Sequence, residues 1–236
     1  MYFLILFVCY LIFHFGNEIL FVLLNPKYII SLLNKKETII VNNCFIIHNN
    51  RNQDRLENVI QIKDNLDMNI KLFNGIFPQD DNWNDLYTKY SPLYPTLRSD
   101  DRRSHGCFLS HLLILEELRD SDLTYGLILE DNVSVLKSIP NTFLLPIDFD
   151  IVSLERDRLG GLFYDSNLIR VTNGCGACGY IVKIRSIDLI LDGLRKFNLP
   201  IDLGYVHLSF LNMINFYNIR DGYVIRSSLK SVREYY

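Results

Sequence analysis

The run Leu127-Ile128-Leu129-Glu130-Asp131-Asn132-Val133 constrains the fold more than any other stretch of the chain. An apolar run bounded by polar residues reads as a central strand. Here it ends abruptly in two carboxylates and an amide. A buried, unpaired carboxylate costs several kcal/mol or is neutralised, so these groups belong at a crevice on the edge of a sheet. That is where open α/β sheets take their ligands. Adjacent oxygen donors suit Mg²⁺ or Mn²⁺, and such a cation suits a diphosphate. The plainer alternative is an acidic turn after a strand.

The rest of the chain supplies the sheet. Asn43 to Ile47 reads as a first strand and Gln53 to Leu66 as a helix, with Val59, Ile62 and Leu66 spaced three and four apart. Ile70 to Phe73 reads as a second strand. Asp80 to Pro95, with the only Trp, several Asp and Asn and two prolines, reads as loop-rich. Ser104 to Arg119 is a strong helix pattern ahead of the acidic strand. Further strands are expected at Ile151 to Leu154, Leu168 to Thr172, Gly179 to Lys183 and Tyr223 to Arg226. Helices are expected at Ser186 to Lys196 and around Val206 to Asn215. Strands alternating with helices predict an α/β fold with a mostly parallel sheet.

At 236 residues the chain suits one large core, and its 49% hydrophobic content argues against disorder. The formal charge is −3 with scattered basic residues, which argues against nucleic acid as a partner. Five cysteines do not make a dense disulfide framework. Cys175-Gly-Ala-Cys178 is a single C-x-x-C between two strand-like runs, whereas a redox motif normally opens a helix. It reads as a tight small-residue connection, with a membrane-tethered redox or scaffold protein as the rival.

Met1 to Leu24 holds sixteen Leu, Ile, Phe or Val residues, interrupted by His14, Gly16, Asn17 and Glu18. Those sixteen sum to roughly −5 to −10 kcal/mol of insertion free energy, against about 3 kcal/mol for the Glu. No Lys or Arg precedes Lys27 and no small-residue cleavage site follows, so an uncleaved single-pass membrane anchor over 1–24 is expected. Lys27, Lys35 and Lys36 all follow the span, which by the positive-inside rule would leave the C-terminal domain on the cytoplasmic side. Residues 25–42 are expected as a linker and 43–236 as the main domain.

Four segments in order carry a resemblance to a known family. They are Phe45 to Arg55 with Arg51 and Arg55, Gly106-Cys107-Phe-Leu-Ser110-His111, Leu129-Glu130-Asp131-Asn132, and Gly174 to Ile181, followed by Pro200-Ile201-Asp202. Together they resemble the family 25 glycosyltransferases of lipooligosaccharide synthesis and collagen hydroxylysine galactosylation. The resemblance implies a GT-A-like nucleotide-sugar-binding domain. It also implies inverting transfer of a hexose, galactose or glucose, from a UDP-sugar to a glycan or hydroxylysine-type protein acceptor.

On this reading Glu130, Asp131 and Asn132 hold Mn²⁺ or Mg²⁺, and Arg51 and Arg55 meet the nucleotide's phosphates. Asn132 stands where the family carries a second Asp. It offers a carbonyl oxygen without charge, which weakens a divalent site and opens a rival reading, a catalytically weak or inactive carbohydrate- or nucleotide-binding relative. Ser110 and His111 lie roughly 100° apart on a helix and cannot form a dyad. They either bind donor or acceptor, or tie the helix to the acidic strand end. Cys107, four residues before His111, shares its face. Inversion needs one general base for the acceptor hydroxyl. Asp202 and Glu155 compete for that role. Asp202 has a helix N-cap as its alternative, and Asp150 is expected at the opposite end of the sheet.

Overall fold

The computed structural model describes residues 35–51, 53–98 and 102–227, with only the backbone of 102 and 103. The first half runs β1 (Lys36–Ile40), β2 (Asn43–His48), α1 (Leu56–Asp64), β3 (Asn69–Asn74), α2 (Trp83–Tyr90), α3 (Arg102–Arg119) and β4 (Tyr125–Glu130). Next come β5 (Val133–Val135), β6 (Thr142–Pro146), β7 (Ile151–Ser153), β8 (Leu159–Phe163), β9 (Leu168–Gly174) and β10 (Gly179–Lys183). The chain continues through α4 (Ile187–Leu194), α5 (Ile201–Phe210), β11 (Phe216–Ile219) and β12 (Val224–Arg226).

Eight strands form one sheet in the order β3-β2-β4-β10-β7-β11-β9-β8. The α/β expectation holds, but the sheet is mixed rather than mostly parallel. The pairs β2–β3, β2–β4 and β7–β11 are parallel, and the other four pairings are antiparallel. Connection length explains the division. A parallel neighbour needs a crossover of about a dozen residues. The β2–α1–β3 and β3–α2–α3–β4 connections supply one, whereas β8 and β9 are joined by a short turn and pair antiparallel.

Alternate residues of each central strand feed two cores. On one face Phe45, Ile128, Ile151, Tyr180 and Phe216 pack with α2 to α5. On the other, Ile46, Leu127, Leu129, Val152 and Ile181 pack with Val59 and Ile62 of α1 and with Ile39, Phe143 and Leu145. Strand β4 is thus fully buried on both faces along Leu127, Ile128 and Leu129, as its unbroken apolar run implies.

Several expectations are corrected. Part of the stretch expected as a linker is structured, because β1 pairs antiparallel with β6 through Lys36 to Ile40. The loop-rich stretch contains α2, whose Trp83, Leu86, Tyr87 and Tyr90 recur at helical spacing and turn onto the core. Helix α5 starts at Ile201, earlier than expected, and Phe216 to Ile219 is a strand. The anchor expected over residues 1–24 lies outside the described residues. Among the described residues no helix is long and apolar enough to cross a membrane.

Candidate active site

Strand β2 sends the chain to β3 on one side, and the chain returns as β4 on the other. The C-terminal ends of β2 and β4 therefore mark a topological switch point, where open α/β sheets place their crevice. A cavity of about 450 Å³ opens there. Its walls include the Glu130–Asn132 turn, one face of α3, the loop after β3, and the start of α5.

The three residues of the acidic turn have different duties. Glu130 Oε1 lies 3.2 Å from His111 Nε2 and 3.6 Å from Cys107 Sγ. Burial opposes its ionisation, but His111, Arg226 and Cys107 together outweigh burial and hold the carboxyl down at about 2. Asp131 is buried and fully engaged. Arg55 Nη1 donates to its Oδ1 at 2.5 Å, and His48 Nδ1 lies 2.9 Å from its Oδ2. Asn132 Oδ1 is buried and has no hydrogen-bond partner. The turn's backbone is braced from α1, where Asn58 Nδ2 donates to the carbonyls of Asp131 and Val133 at 2.7 and 2.8 Å. The Ser227 N–H closes the other side onto the Asn132 carbonyl at 2.7 Å.

Ser110 and His111 both line the cavity and both tie α3 down. Ser110 Oγ accepts the Ile76 N–H at 2.8 Å and donates to the Gly106 carbonyl at 2.7 Å. This staples the helix to the loop after β3. The approach is close, since a Cβ on Gly106 would sit 2.4 Å from the Ile76 carbonyl oxygen. The fully buried His111 reaches Glu130 with one nitrogen and the Tyr180 hydroxyl with the other, at 2.9 Å. Tyr180 in turn pairs with the Tyr205 hydroxyl at 3.1 Å. Burial pushes both phenols up, so they stay protonated.

The expected arginines divide. Arg55 lines the cavity but is 3% exposed and committed to Asp131, so it supports the acidic turn rather than standing open to phosphate. The Arg51 side chain is 54% exposed, does not line the cavity, and instead donates to the Gln79 carbonyl at 3.1 Å. Two cationic side chains missed in the sequence do line it, Arg158 and Arg226. Arg226 sits on β12, opposite Val133 of β5. Arg158 Nη2 donates to Cys175 Sγ at 3.1 Å. Neither belongs to a recognisable motif, so only the tertiary fold reveals them.

The two base candidates also separate. Asp202 lines the cavity in the first turn of α5. Pro200 holds the N-cap position, and Asp202 Oδ1 accepts the neighbouring Leu203 N–H at 2.9 Å. Glu155 lies on the same sheet edge as Glu130 but is fully buried, behind the Gly176–Cys178 turn, and does not line the cavity. Its Oε1 accepts the Cys178 N–H at 2.8 Å, its Oε2 has no partner, and burial pushes its carboxyl up. Asp150 serves the opposite end of the sheet, where it binds Ser186 Oγ and the Asn215 N–H. The C-x-x-C cysteines are unpaired, and burial pushes the Cys178 thiol up, the reverse of what redox chemistry needs.

A hard divalent cation fits this turn in reduced form. Asp131 is saturated, which leaves the Glu130 carboxylate and the orphaned Asn132 carbonyl oxygen. One carboxylate, a neutral oxygen and substrate phosphates make a workable set for Mg²⁺ or Mn²⁺.

Residues 41–204 match the family described as glycosyltransferase family 25 (LPS biosynthesis protein). The match takes in more than half of the chain, which therefore belongs to glycosyltransferase family 25. No curated protein sequence matches it. Among solved structures, a glycosyltransferase involved in glycosylation of the major capsid of PBCV-1 is similar, with 11% identity and a TM-score of 0.46 over 82% of this chain and 96% of that one. A197 from STIV has 12% identity and a TM-score of 0.40 over 82% and 97%. The apo form of the glycosyltransferase GlyE of Streptococcus pneumoniae TIGR4 has 9% identity and a TM-score of 0.40, over 75% of this chain and only 45% of GlyE. The family membership rests on the sequence match.

Proposed function

We propose that this chain transfers a hexose, galactose or glucose, from a UDP-sugar to a glycan or hydroxylysine-type protein acceptor, with inversion. One observation carries the reading. A single cavity is lined by Glu130, Asn132, Asp202, Arg158 and Arg226. Arg158 and Arg226 would offset the charge of a diphosphate, taking the part first expected of Arg51 and Arg55. Mn²⁺ or Mg²⁺, held by Glu130 and Asn132, would supply further stabilisation of the departing diphosphate. Asp202, as a carboxylate, takes the proton of the acceptor hydroxyl. Glu155 yields that role because the turn at Gly176 shields it: a Cβ there would fall 2.7 Å from Glu155 Oε1.

The test is UDP release by the full-length chain across a panel of UDP-sugars, with glycan acceptors, in Mn²⁺ and in chelator. Metal-dependent release from one donor supports transfer. The saturated Asp131 and the neutral Asn132 favour one alternative, a donor-binding relative without turnover. Binding of a UDP-sugar with no release under any condition would establish that alternative.

A further inference from the structure

Cys107, His111 and Glu130 converge on one point of the cavity wall, and the transfer reading uses only one of the three. Cys107 and His111 are one helical turn apart on α3, and Glu130 ends β4. The Cys107 Sγ, a His111 ring nitrogen and a Glu130 oxygen all lie within 4.8 Å of one another. We propose that these three side chains form a binding site for a borderline divalent cation of the Zn²⁺ class, distinct in chemistry from the hard-cation site of Glu130 and Asn132.

Three observations support the assignment. The first is spacing. Zn–N and Zn–O bonds of about 2.0 Å and Zn–S bonds of about 2.3 Å at tetrahedral angles set N···O near 3.3 Å and S···O near 3.5 Å. The chain holds His111 Nε2 and Cys107 Sγ at 3.2 and 3.6 Å from Glu130 Oε1.

The second is the outer shell. A metal-bound histidine almost always donates its other ring N–H to a fixed acceptor, which orients the ring. Tyr180 is placed for that at 2.9 Å from His111 Nδ1 and is itself held by Tyr205. The third is access. All three donors line the cavity, so the fourth coordination position opens to water or a ligand.

Donor type selects the metal. Thiolate and imidazole favour Zn²⁺ or Co²⁺, while Mg²⁺ and Mn²⁺ prefer oxygen. Because Glu130 belongs to both sets, a bound Zn²⁺ would withdraw it from Mn²⁺. That consequence alone rests on the transfer reading.

The experiment needs no sugar donor, so its outcome is separable from that of the transfer reading. The full-length chain, reduced and freed of metal, is titrated with Co²⁺ and followed by absorption. The expected result is a thiolate-to-cobalt charge-transfer band with intense visible d–d bands, displaced by one equivalent of Zn²⁺. Cys107→Ser should remove the charge-transfer band, with folding checked by circular dichroism. Cys175→Ser with Cys178→Ser should leave it in place. Tyr180→Phe should weaken Zn²⁺ binding about 10- to 100-fold without removing the band. A folded wild-type chain that shows no band, or a band that follows Cys175 and Cys178, overturns the proposal.

Discussion

The Arg55 guanidinium meets the Asp131 carboxylate at 2.5 Å, and the two side chains are 3% and 6% exposed. A residue expected to face phosphate and one expected to face metal thus neutralise each other beneath the cavity. Removing one partner of such a buried pair costs about 3–5 kcal/mol, because the other charge is left without its partner. Arg55→Ala should lower the urea midpoint accordingly. Lys at 55 should restore only part of the loss, since a point charge replaces a planar fork. A variant that keeps full stability yet loses donor affinity would return Arg55 to the phosphate role.

Asp202→Asn removes the proposed base and leaves its surroundings unchanged. Turnover should fall on the order of 10²- to 10⁴-fold, while calorimetry should find UDP-sugar affinity nearly unchanged. Full activity in this variant would transfer the role elsewhere.

Asn132→Asp adds a charge where the carbonyl oxygen now lacks a partner. Divalent affinity rises with ligand charge. The apparent Mn²⁺ requirement should therefore drop by on the order of tenfold, read from the metal dependence of UDP release or by direct titration.

Glu155 predicts a pH dependence of stability. Burial raises its folded-state carboxyl above the unfolded value of about 4.3. Below that unfolded value its contribution is fully favourable, and it is lost as pH rises through the higher folded value. Wild type should therefore gain stability on acidification from neutrality toward pH ~5 relative to Glu155→Gln. The Gln variant keeps the Cys178 N–H bond without a buried charge. Parallel denaturation curves for the two proteins across that range would refute the assignment.

Gly106→Ala probes the cavity wall. A methyl group 2.4 Å from the Ile76 carbonyl forces α3 and the loop after β3 apart. Overpacking of this kind costs about 1–3 kcal/mol. Donor affinity should fall with it, because Ser110 and Ile76 lose their register.

Long apolar runs made β2, β4 and β10 legible from sequence, since a strand buried on both faces carries its signal in every residue. Strands β5 and β12 span only three residues each, and β1 runs Lys-Glu-Thr-Ile-Ile with no period-two alternation. Such segments become strands through their partners. The place of the acidic turn at a crevice was legible because carboxylates after a buried strand are costly anywhere else. The saturation of Asp131 was not, because its partners lie 76 and 83 residues away. Arg226 likewise reaches the cavity only through the pairing of β12 with β5, and Arg158 from the turn just ahead of β8, neither visible in local pattern. Asp202 was legible as a candidate, but its place inside the first turn rather than at the cap depended on where α5 begins.

Strand β10 alone covers the second edge of β4, and it is made some fifty residues later. At ordinary synthesis rates the first half of the sheet waits about 3–10 s on the ribosome with that edge bare. Leu127, Ile128 and Leu129 are meanwhile an uncharged, β-prone surface of the kind that pairs with other chains. The order in which the strands are made therefore gives nascent-chain chaperones their task, and a chain stopped before Gly179 should aggregate even though it already carries β2, β3 and β4.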